Sequence, residues 1–373
     1  MTKILIDGSI IHMEDLYKSL SIWIFRYLDS IDEKERIRYK ILVLEETAAY
    51  MKKRYPQFEF IVYNPYSLNL SSNRIKKFFQ RNKLYKKVVE NSNCDILFVP
   101  NDLVTFSSVK VKLRKVTVVH DMKSINNAPK LSIQYLSNLY YYNRLLAHSD
   151  KVVAISKYTK EDILRFFPRK YEKKIEVIYN SVEISEQGIE DVRYNYTNYI
   201  LFVNTLMPYK NVMTFLKGFA LLKEKIKQKV IIVGRTTDYW SSNVMGYIKA
   251  AGIDERIIHL ENLSEAELIW LYKHADLFVT TSLKEGFGYT PIEAAMCCCP
   301  VVSSTCEALA DTSKGLLHYY GPPMDAEALS KVMEETLSMP QSKEELLLIA
   351  NNYNEAYSRE KQIKLYTEIF NRL

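Results

Sequence analysis

Long apolar stretches are missing from this sequence. No run reaches the ~18 residues that a membrane-crossing helix requires, which excludes a helical membrane-spanning protein. A secretory leader is not expected either. The start, MTKILIDGSI, is a short apolar strand ending in Asp7-Gly8, without a basic head or an extended apolar core. A cytoplasmic protein is therefore expected, with peripheral contact with the inner face of the membrane as its only approach to lipid. Cysteine is scarce, and three of the five thiols are consecutive, Cys297, Cys298 and Cys299. Consecutive thiols suit neither a disulfide framework nor the spaced ligand pairs of a zinc site. The thiols read as small buried hydrophobes, and the isolated Cys94 and Cys306 read the same way. No Asp-X-Asp pair stands at a strand end, so neither a metal nor a cofactor is expected. The excess of 51 Lys+Arg over 44 Asp+Glu is mild and comes with no recognition motif, which argues against nucleic acid as a partner.

What is present is a globular composition, 47% hydrophobic and 25% charged, spread over 373 residues. That length exceeds one compact core and suits two domains. Apolar β-rich runs recur at 3–6, 40–44, 60–63, 95–100, 116–120, 151–155 and 174–179, with helical spacing between most of them, as at 12–30 and 132–148. Such alternation predicts a parallel sheet covered on both faces. The segment 184–196 is polar and aperiodic and reads as a linker. A second series follows at 199–204, 229–234, 256–260, 276–281 and 300–304, with helices between at 211–226, 241–251, 264–274 and 289–298. The expected organisation is α/β: a Rossmann-like, doubly wound domain over 1–188, a second over 189–356, and a C-terminal helix over 357–373 packing back across the junction. Ligands of such sheets bind outside the carboxyl ends of the strands, so a cleft lined by both sets of strand ends is expected.

The segment KEGFGYTPIEAA (284–295) concentrates the chemistry. A strand ends near Thr281 and a helix begins near Tyr289, and Gly286 and Gly288 between them allow a ligand to approach the backbone closely. The helix start, at Tyr289 and Thr290, carries about half a positive charge, which suits a diphosphate. Glu293 falls on the first turns of that helix, where a carboxylate can accept two hydrogen bonds from adjacent ribose hydroxyls. Glu285 falls at the strand end, within reach of sugar hydroxyls or of positive charge developing at C1. The plainer alternative is a glycine-containing turn with two solvated glutamates.

The run EGFGYTPIEAAMCCCPVV resembles the donor-site signature of the retaining glycosyltransferase family 4, EGFGLPPLEAMACGTPVV, with both glutamates, Pro291, Pro300, Val301 and Val302 in register. The likeness extends upstream through LENLSEAELIWLYKHADLFVTTSLKEGFG, where Ser264 and Glu267 also form a capping box on their own terms. It continues to YILFVNTLMPYKN, which is similar to the family's opening strand and its FVGxxxPRKN loop. Residues 195–335 match well and the first half matches loosely. The resemblance implies the GT-B fold, two facing Rossmann-like domains. It places Lys210 on the diphosphate, Glu293 on the ribose, Glu285 on the sugar, and the backbone of Gly286, Phe287 and Gly288 along sugar and phosphate. Thr205 stands where many members have a second phosphate-binding arginine, which leaves more of the leaving-group charge to Lys210 and the helix N-terminus.

In the first half, His120 ends the strand VTVVH and is expected to hydrogen-bond the donor sugar, since the family often has His-Asp here; the plainer alternative is a structural histidine bonded to the backbone. Asp121 reads first as a cap and only second as an acceptor-side group. Gly8 is the single glycine where the family has a Gly-rich loop after its first strand, so it is the one acceptor-side glycine expected. Residues 74–87, RIKKFFQRNKLYKK, carry seven basic residues among aromatics. On a helix they would present a basic, partly aromatic face to an anionic bilayer, or simply pack their apolar side inward.

The resulting expectation is a metal-independent hexosyltransferase. It would take sugar from a UDP- or GDP-sugar to a hydroxyl of a glycan or lipid-linked acceptor, with retention at C1, in cell-surface polysaccharide biosynthesis. Glu285, His120 and Lys210 are the expected catalytic residues. The alternatives are a sugar-nucleotide epimerase or hydrolase on the same scaffold, and a non-catalytic nucleotide-binding partner in a polysaccharide assembly complex.

Overall fold

Seven strands form the first sheet of the computed structural model: β1 (Ile4–Asp7), β2 (Tyr39–Leu44), β3 (Glu59–Tyr63), β4 (Ile96–Val99), β5 (Arg114–Val119), β6 (Lys151–Ala154) and β7 (Ile175–Val177). The structure describes residues 1–16, 18–66, 73–101 and 108–373. Strand order is β3-β2-β1-β4-β5-β6-β7, and every pairing is parallel. The order reverses between β1 and β4, which makes their carboxyl ends the switch point of this sheet. Successive side chains point to opposite faces, and helices cover both. On one face Leu5, Leu42, Leu97 and Val99 pack with Tyr85 and Val89 of the helix Arg74–Glu90. Farther along that face Val119, Val152 and Ala154 meet Tyr142, Leu145 and Leu146 of the helix Ile133–His148. On the other face Phe98 lies 5.1 Å from the ring of Tyr27, 5.3 Å from Tyr366 and 5.4 Å from Phe370. Tyr27 comes from the helix Ser19–Asp29, and Tyr366 and Phe370 come from the C-terminal helix Arg359–Arg372.

The second sheet contains β8 (Tyr199–Val203), β9 (Lys229–Val233), β10 (Ile257–Leu260), β11 (Leu277–Thr280), β12 (Val301–Ser304) and β13 (His318–Tyr320). It is again fully parallel, in the order β10-β9-β8-β11-β12-β13, with its switch point between β8 and β11. Its core joins Ile200 and Phe202 of β8 to Phe215 and Phe219 of the helix Val212–Leu222, and to Leu329 and Met333 of the helix Ala326–Ser338. The helix Glu265–His274 begins with the capping box of Ser264 and Glu267.

The chain divides into two units, Met1–Ile178 together with Arg359–Leu373, and Tyr179–Ser358. The first boundary thus falls ten residues before the sequence-based 188. Two bonds explain the difference: the Tyr179 hydroxyl donates to Asp311 Oδ1 (2.8 Å), and the Val182 N–H donates to the Tyr357 carbonyl (2.9 Å). The polar stretch expected as a linker is fastened to the second unit, by Lys273 pairing with Glu186 and by the Tyr194 hydroxyl donating to Glu267 (2.6 Å). The C-terminal helix groups with the first unit, because its apolar side completes the aromatic cluster around Phe98. Among the described residues, no helix is long and apolar enough to cross a membrane.

Candidate active site

At the switch point of the second unit the loops that follow β8 and β11 are stitched together. Asn204 Nδ2 donates to Ser282 Oγ (3.2 Å), the Leu283 N–H to the Tyr209 carbonyl (2.8 Å), and the Thr281 hydroxyl to the Asn211 carbonyl (2.8 Å). Lys210 ends the turn Pro208–Lys210, and the left-handed Asn211 (φ 57°) redirects the chain into the helix Val212–Leu222. This brings Lys210 Nζ to 2.6 Å from Glu285 Oε1, with the two side chains only 11% and 12% exposed. The ammonium has three N–H donors, and one of them goes to Glu285. Thr205 lies on the same loop, exposed, with its N–H bonded to Asn204 Oδ1.

The turn after Glu285 is held from behind by the loop after β12. The Glu285 N–H donates to the Glu307 carboxylate (2.7 Å), and the Ala308 N–H points at the Glu285 carbonyl (3.4 Å). The Thr312 hydroxyl donates to the Phe287 carbonyl (2.6 Å). The Phe287 ring is buried against Tyr357 and Tyr289, so this residue offers only its backbone. Gly288 has φ 84°, and a Cβ there would stand 2.4 Å from Leu309 Cδ2; the conformation favours glycine, and any larger residue would also displace the Leu309 side chain. The helix Tyr289–Met296 starts at Gly288, which has no side chain to cap it, and the partial positive charge of a helix N-terminus suits an anion. Glu293 is half-buried on that helix and accepts from the Tyr272 hydroxyl (3.3 Å). Burial, reinforced by the Glu293 charge, pushes the Tyr272 phenol well above its usual value and keeps it a donor. Behind the helix Cys297 and Cys299 are buried, and burial pushes the Cys297 thiol up to about 12, so it is inert.

In the first unit, Gly8 follows β1 and its N–H donates to the Leu42 carbonyl (2.9 Å); a Cβ would meet that same oxygen at 2.9 Å. The preceding Asp7 is buried. Its Oδ1 accepts from the Ser9 N–H (3.0 Å) and its Oδ2 from the Tyr85 hydroxyl, while burial raises its pKa. His120 follows β5 with Nε2 2.9 Å from the Pro100 carbonyl, so Nε2 carries the proton, and Trp23 packs edge-on at 5.4 Å. Asp121 caps the short helix Lys123–Asn126, accepting from the Lys123 N–H (2.9 Å) and pairing with its ammonium (3.2 Å).

The structure therefore gathers Lys210, Glu285, Glu293, Gly286, Phe287, Gly288, Tyr289 and Thr290 at one switch point, with Thr205 on the adjoining loop. Gly8, His120 and Asp121 stand at strand ends of the other unit. Sequence reasoning missed Glu307 and Tyr272, which act through the backbone or through another side chain and leave no motif. It also missed Asn101, just after β4, which is 1% exposed and whose amide oxygen and nitrogen have no hydrogen-bond partner among the described residues. Among the described residues no group of three or more His, Cys, Asp or Glu could hold a metal ion.

The basic helix Arg74–Glu90 is N-capped by Asn73 and buries Tyr85 and Val89, while Ile75, Phe78 and Phe79 are exposed. The helix Ile133–His148 covers the same face of the sheet, and at its start Leu131, Ile133 and Leu136 are exposed too.

Two family descriptions match consecutive halves of the chain: Glycosyltransferase Family 4 over residues 38–186, and Glycosyl transferases group 1 over residues 186–354. An uncharacterized glycosyltransferase of Methanocaldococcus jannaschii is 26% identical over 348 residues, 86% of this chain and 84% of that protein. The O-antigen chain mannosyltransferase RfbU of Salmonella typhimurium is 32% identical over 197 residues, and the aligned part is about half (52%) of each protein. Among solved structures, that of Anabaena HepE in complex with UDP and glucose superposes with a TM-score of 0.76 at 17% identity, covering 100% of both chains. With both halves of its sequence matched and both sheets of the expected kind, the chain belongs to glycosyltransferase family 4 and is a glycosyltransferase of the GT-B fold.

Proposed function

We propose that this glycosyltransferase moves a hexose from a UDP- or GDP-sugar to a hydroxyl of a glycan or lipid-linked acceptor, with retention at C1, in the assembly of a cell-surface polysaccharide. The observation that carries the reading is the Lys210–Glu285 pair at a switch point, in the loop that leads into the helix Tyr289–Met296. An ammonium and the positive end of a helix suit a diphosphate, and a carboxylate beside them suits the sugar attached to it. Glu293, steadied by Tyr272, takes the ribose hydroxyls. Among relatives, HepE was solved with UDP and glucose and RfbU is a mannosyltransferase, which supports a nucleotide-sugar donor and a hexose as the group moved.

In the reaction the bond from C1 to the diphosphate oxygen breaks. The charge left on that oxygen is stabilised by Lys210 and the helix N-terminus without a metal. The sugar passes through an oxocarbenium-like state, oriented and shielded by Glu285 and hydrogen-bonded by His120. The acceptor oxygen bonds to C1 on the face the diphosphate leaves, and its proton passes to the departing phosphate oxygen beside it. Gly8, with Asn101 as a further candidate, lies on the acceptor side. The exposed apolar residues of the basic helix and of its neighbour support docking on an anionic membrane surface, where a lipid-linked acceptor resides.

A thermal-shift screen against UDP, GDP and their glucose and mannose conjugates, followed by transfer assays on Glu285→Ala and His120→Ala, tests the reading. Stabilisation by one nucleotide series and loss of transfer in both variants is expected. Full activity of Glu285→Ala overturns the site, and steady nucleotide release without acceptor points instead to a hydrolase.

A further inference from the structure

Glu307 holds a backbone conformation, φ 49° and ψ −124°, that residues other than glycine avoid. Such strain persists where the surroundings over-determine it, and it concentrates at functional sites. Glu307 immediately precedes the helix Ala308–Thr312, yet its side chain does not cap that helix. Its carboxylate instead accepts the Glu285 N–H at 2.7 Å. The next residue, Ala308, directs its N–H at the Glu285 carbonyl, so adjacent residues grip both backbone polar groups of Glu285. The same segment supplies Leu309 against Gly288 and Thr312 to the Phe287 carbonyl. The strand end before it is tied down as well, since the Ser304 hydroxyl donates to the Ser282 carbonyl (2.8 Å).

We propose that Glu307 is a positioning residue: its strained backbone aims a carboxylate at the Glu285 N–H, and this clamp fixes the direction in which the Glu285 side chain leaves the turn toward Lys210. The inference rests on the donor-site reading above. Glycine at 307 would relax the strain and lose the clamp, whereas glutamine would keep an oxygen able to accept the same N–H bond. A merely structural role would make the glycine variant less stable. A positioning role makes it as stable or more so, but unable to hold the sugar.

The experiment compares wild type, Glu307→Gly and Glu307→Gln by thermal melting, by amide hydrogen exchange at Glu285, and by calorimetry with UDP, UDP-glucose, GDP and GDP-mannose. For Glu307→Gly an unchanged or raised Tm is expected, with exchange of the Glu285 amide faster by about tenfold or more. Nucleotide affinity should stay within about twofold, while the additional affinity conferred by the sugar falls by about tenfold. Glu307→Gln should follow wild type. A Glu285 amide equally protected in Glu307→Gly overturns the clamp. So does a retained sugar contribution, or a parallel loss of Tm and nucleotide affinity. Failure of wild type to bind any of the four ligands overturns the donor-site reading instead, and the amide exchange still reports on the clamp.

Discussion

Lys210 Nζ lies 2.6 Å from Glu285 Oε1 where the loops after β8 and β11 meet, and each of these largely buried side chains is the other's counter-ion. Removing one partner of such a pair leaves an uncompensated buried charge, typically at a cost of about 3–5 kcal/mol, whereas replacing both with apolar groups is often neutral. Lys210→Met and Glu285→Leu should therefore each lower stability in denaturant titrations, and the double variant should regain most of the loss. All three should be inactive in sugar transfer. A stable and active double variant would remove the pair from the mechanism.

Nucleotide affinity should depend on Glu293 more than on Tyr272. Losing charge-assisted bonds to two ribose hydroxyls, Glu293→Gln should weaken nucleotide binding by about tenfold, near 1.4 kcal/mol. Tyr272→Phe removes only the group that steadies Glu293, and should show a smaller loss. Because burial first, and the Glu293 charge second, raise the Tyr272 phenol above its ordinary value of 10.0, calorimetric affinity should show no tyrosine titration below that pH.

Gly288→Ala combines a left-handed backbone with a contact of 2.4 Å to Leu309. Strain of this kind costs about 1–3 kcal/mol, so the variant should melt earlier than wild type. Adding Leu309→Ala removes the clash but leaves the backbone term and opens a cavity at a fully buried position, so the double variant should not recover wild-type melting. Unchanged melting and binding in Gly288→Ala would contradict the tight fit of this turn.

Vesicle flotation tests the membrane reading of the helix Arg74–Glu90. Each Lys or Arg near an anionic surface contributes about 1 kcal/mol, screened by salt. Lys76→Glu with Lys77→Glu should reduce binding to phosphatidylglycerol vesicles by at least about tenfold at low ionic strength. Phe78→Ser with Phe79→Ser should reduce binding even at high salt. Lys76, Phe78 and Phe79 are exposed and Lys77 is half-buried, so melting should change little, and retention of both variants on vesicles would rule this surface out.

Acid should loosen the first unit at Glu176. Burial raises this carboxyl, but hydrogen bonds from Lys151 and Arg372 outweigh burial and hold it below its ordinary 4.5. Its contribution is therefore full above that value and lost as the pH falls through the lower folded one. Glu176→Gln should flatten the acid side of the stability profile, and a profile identical to wild type would assign the acid loss elsewhere.

Strand positions in both sheets were legible because parallel strands buried on both faces read as unbroken apolar runs, such as YILFV of β8. β13 was not, because its three residues, His318, Tyr319 and Tyr320, include no β-branched residue to mark a strand. The helices Ala326–Ser338 and Lys343–Ala356 lie beyond the donor motif and were not among those expected, although Leu329, Val332, Met333 and Thr336 carry a helical period. At the site, Glu285 and Glu293 were legible because their spacing, the glycines and the helix start act together in one segment. Glu307 and Tyr272 were not, because backbone strain and long-range hydrogen bonds have no sequence spacing. His120 was legible as a strand end, but not the Pro100 carbonyl that fixes its tautomer.

The membership of the helix Arg359–Arg372 in the first unit bears on the order in which the protein can fold during synthesis. Residues 179–358 form a complete unit nested within the other, and the ribosome finishes them before residues 359–372. Phe98, Tyr27 and Trp23 lack Tyr366 and Phe370 until then, so the nascent first unit carries an open aromatic seam through the translation of the entire second one. A stalled or prematurely terminated chain would leave that seam exposed while the nested unit was already folded, and such chains would be substrates for chaperones by way of the half that was made first.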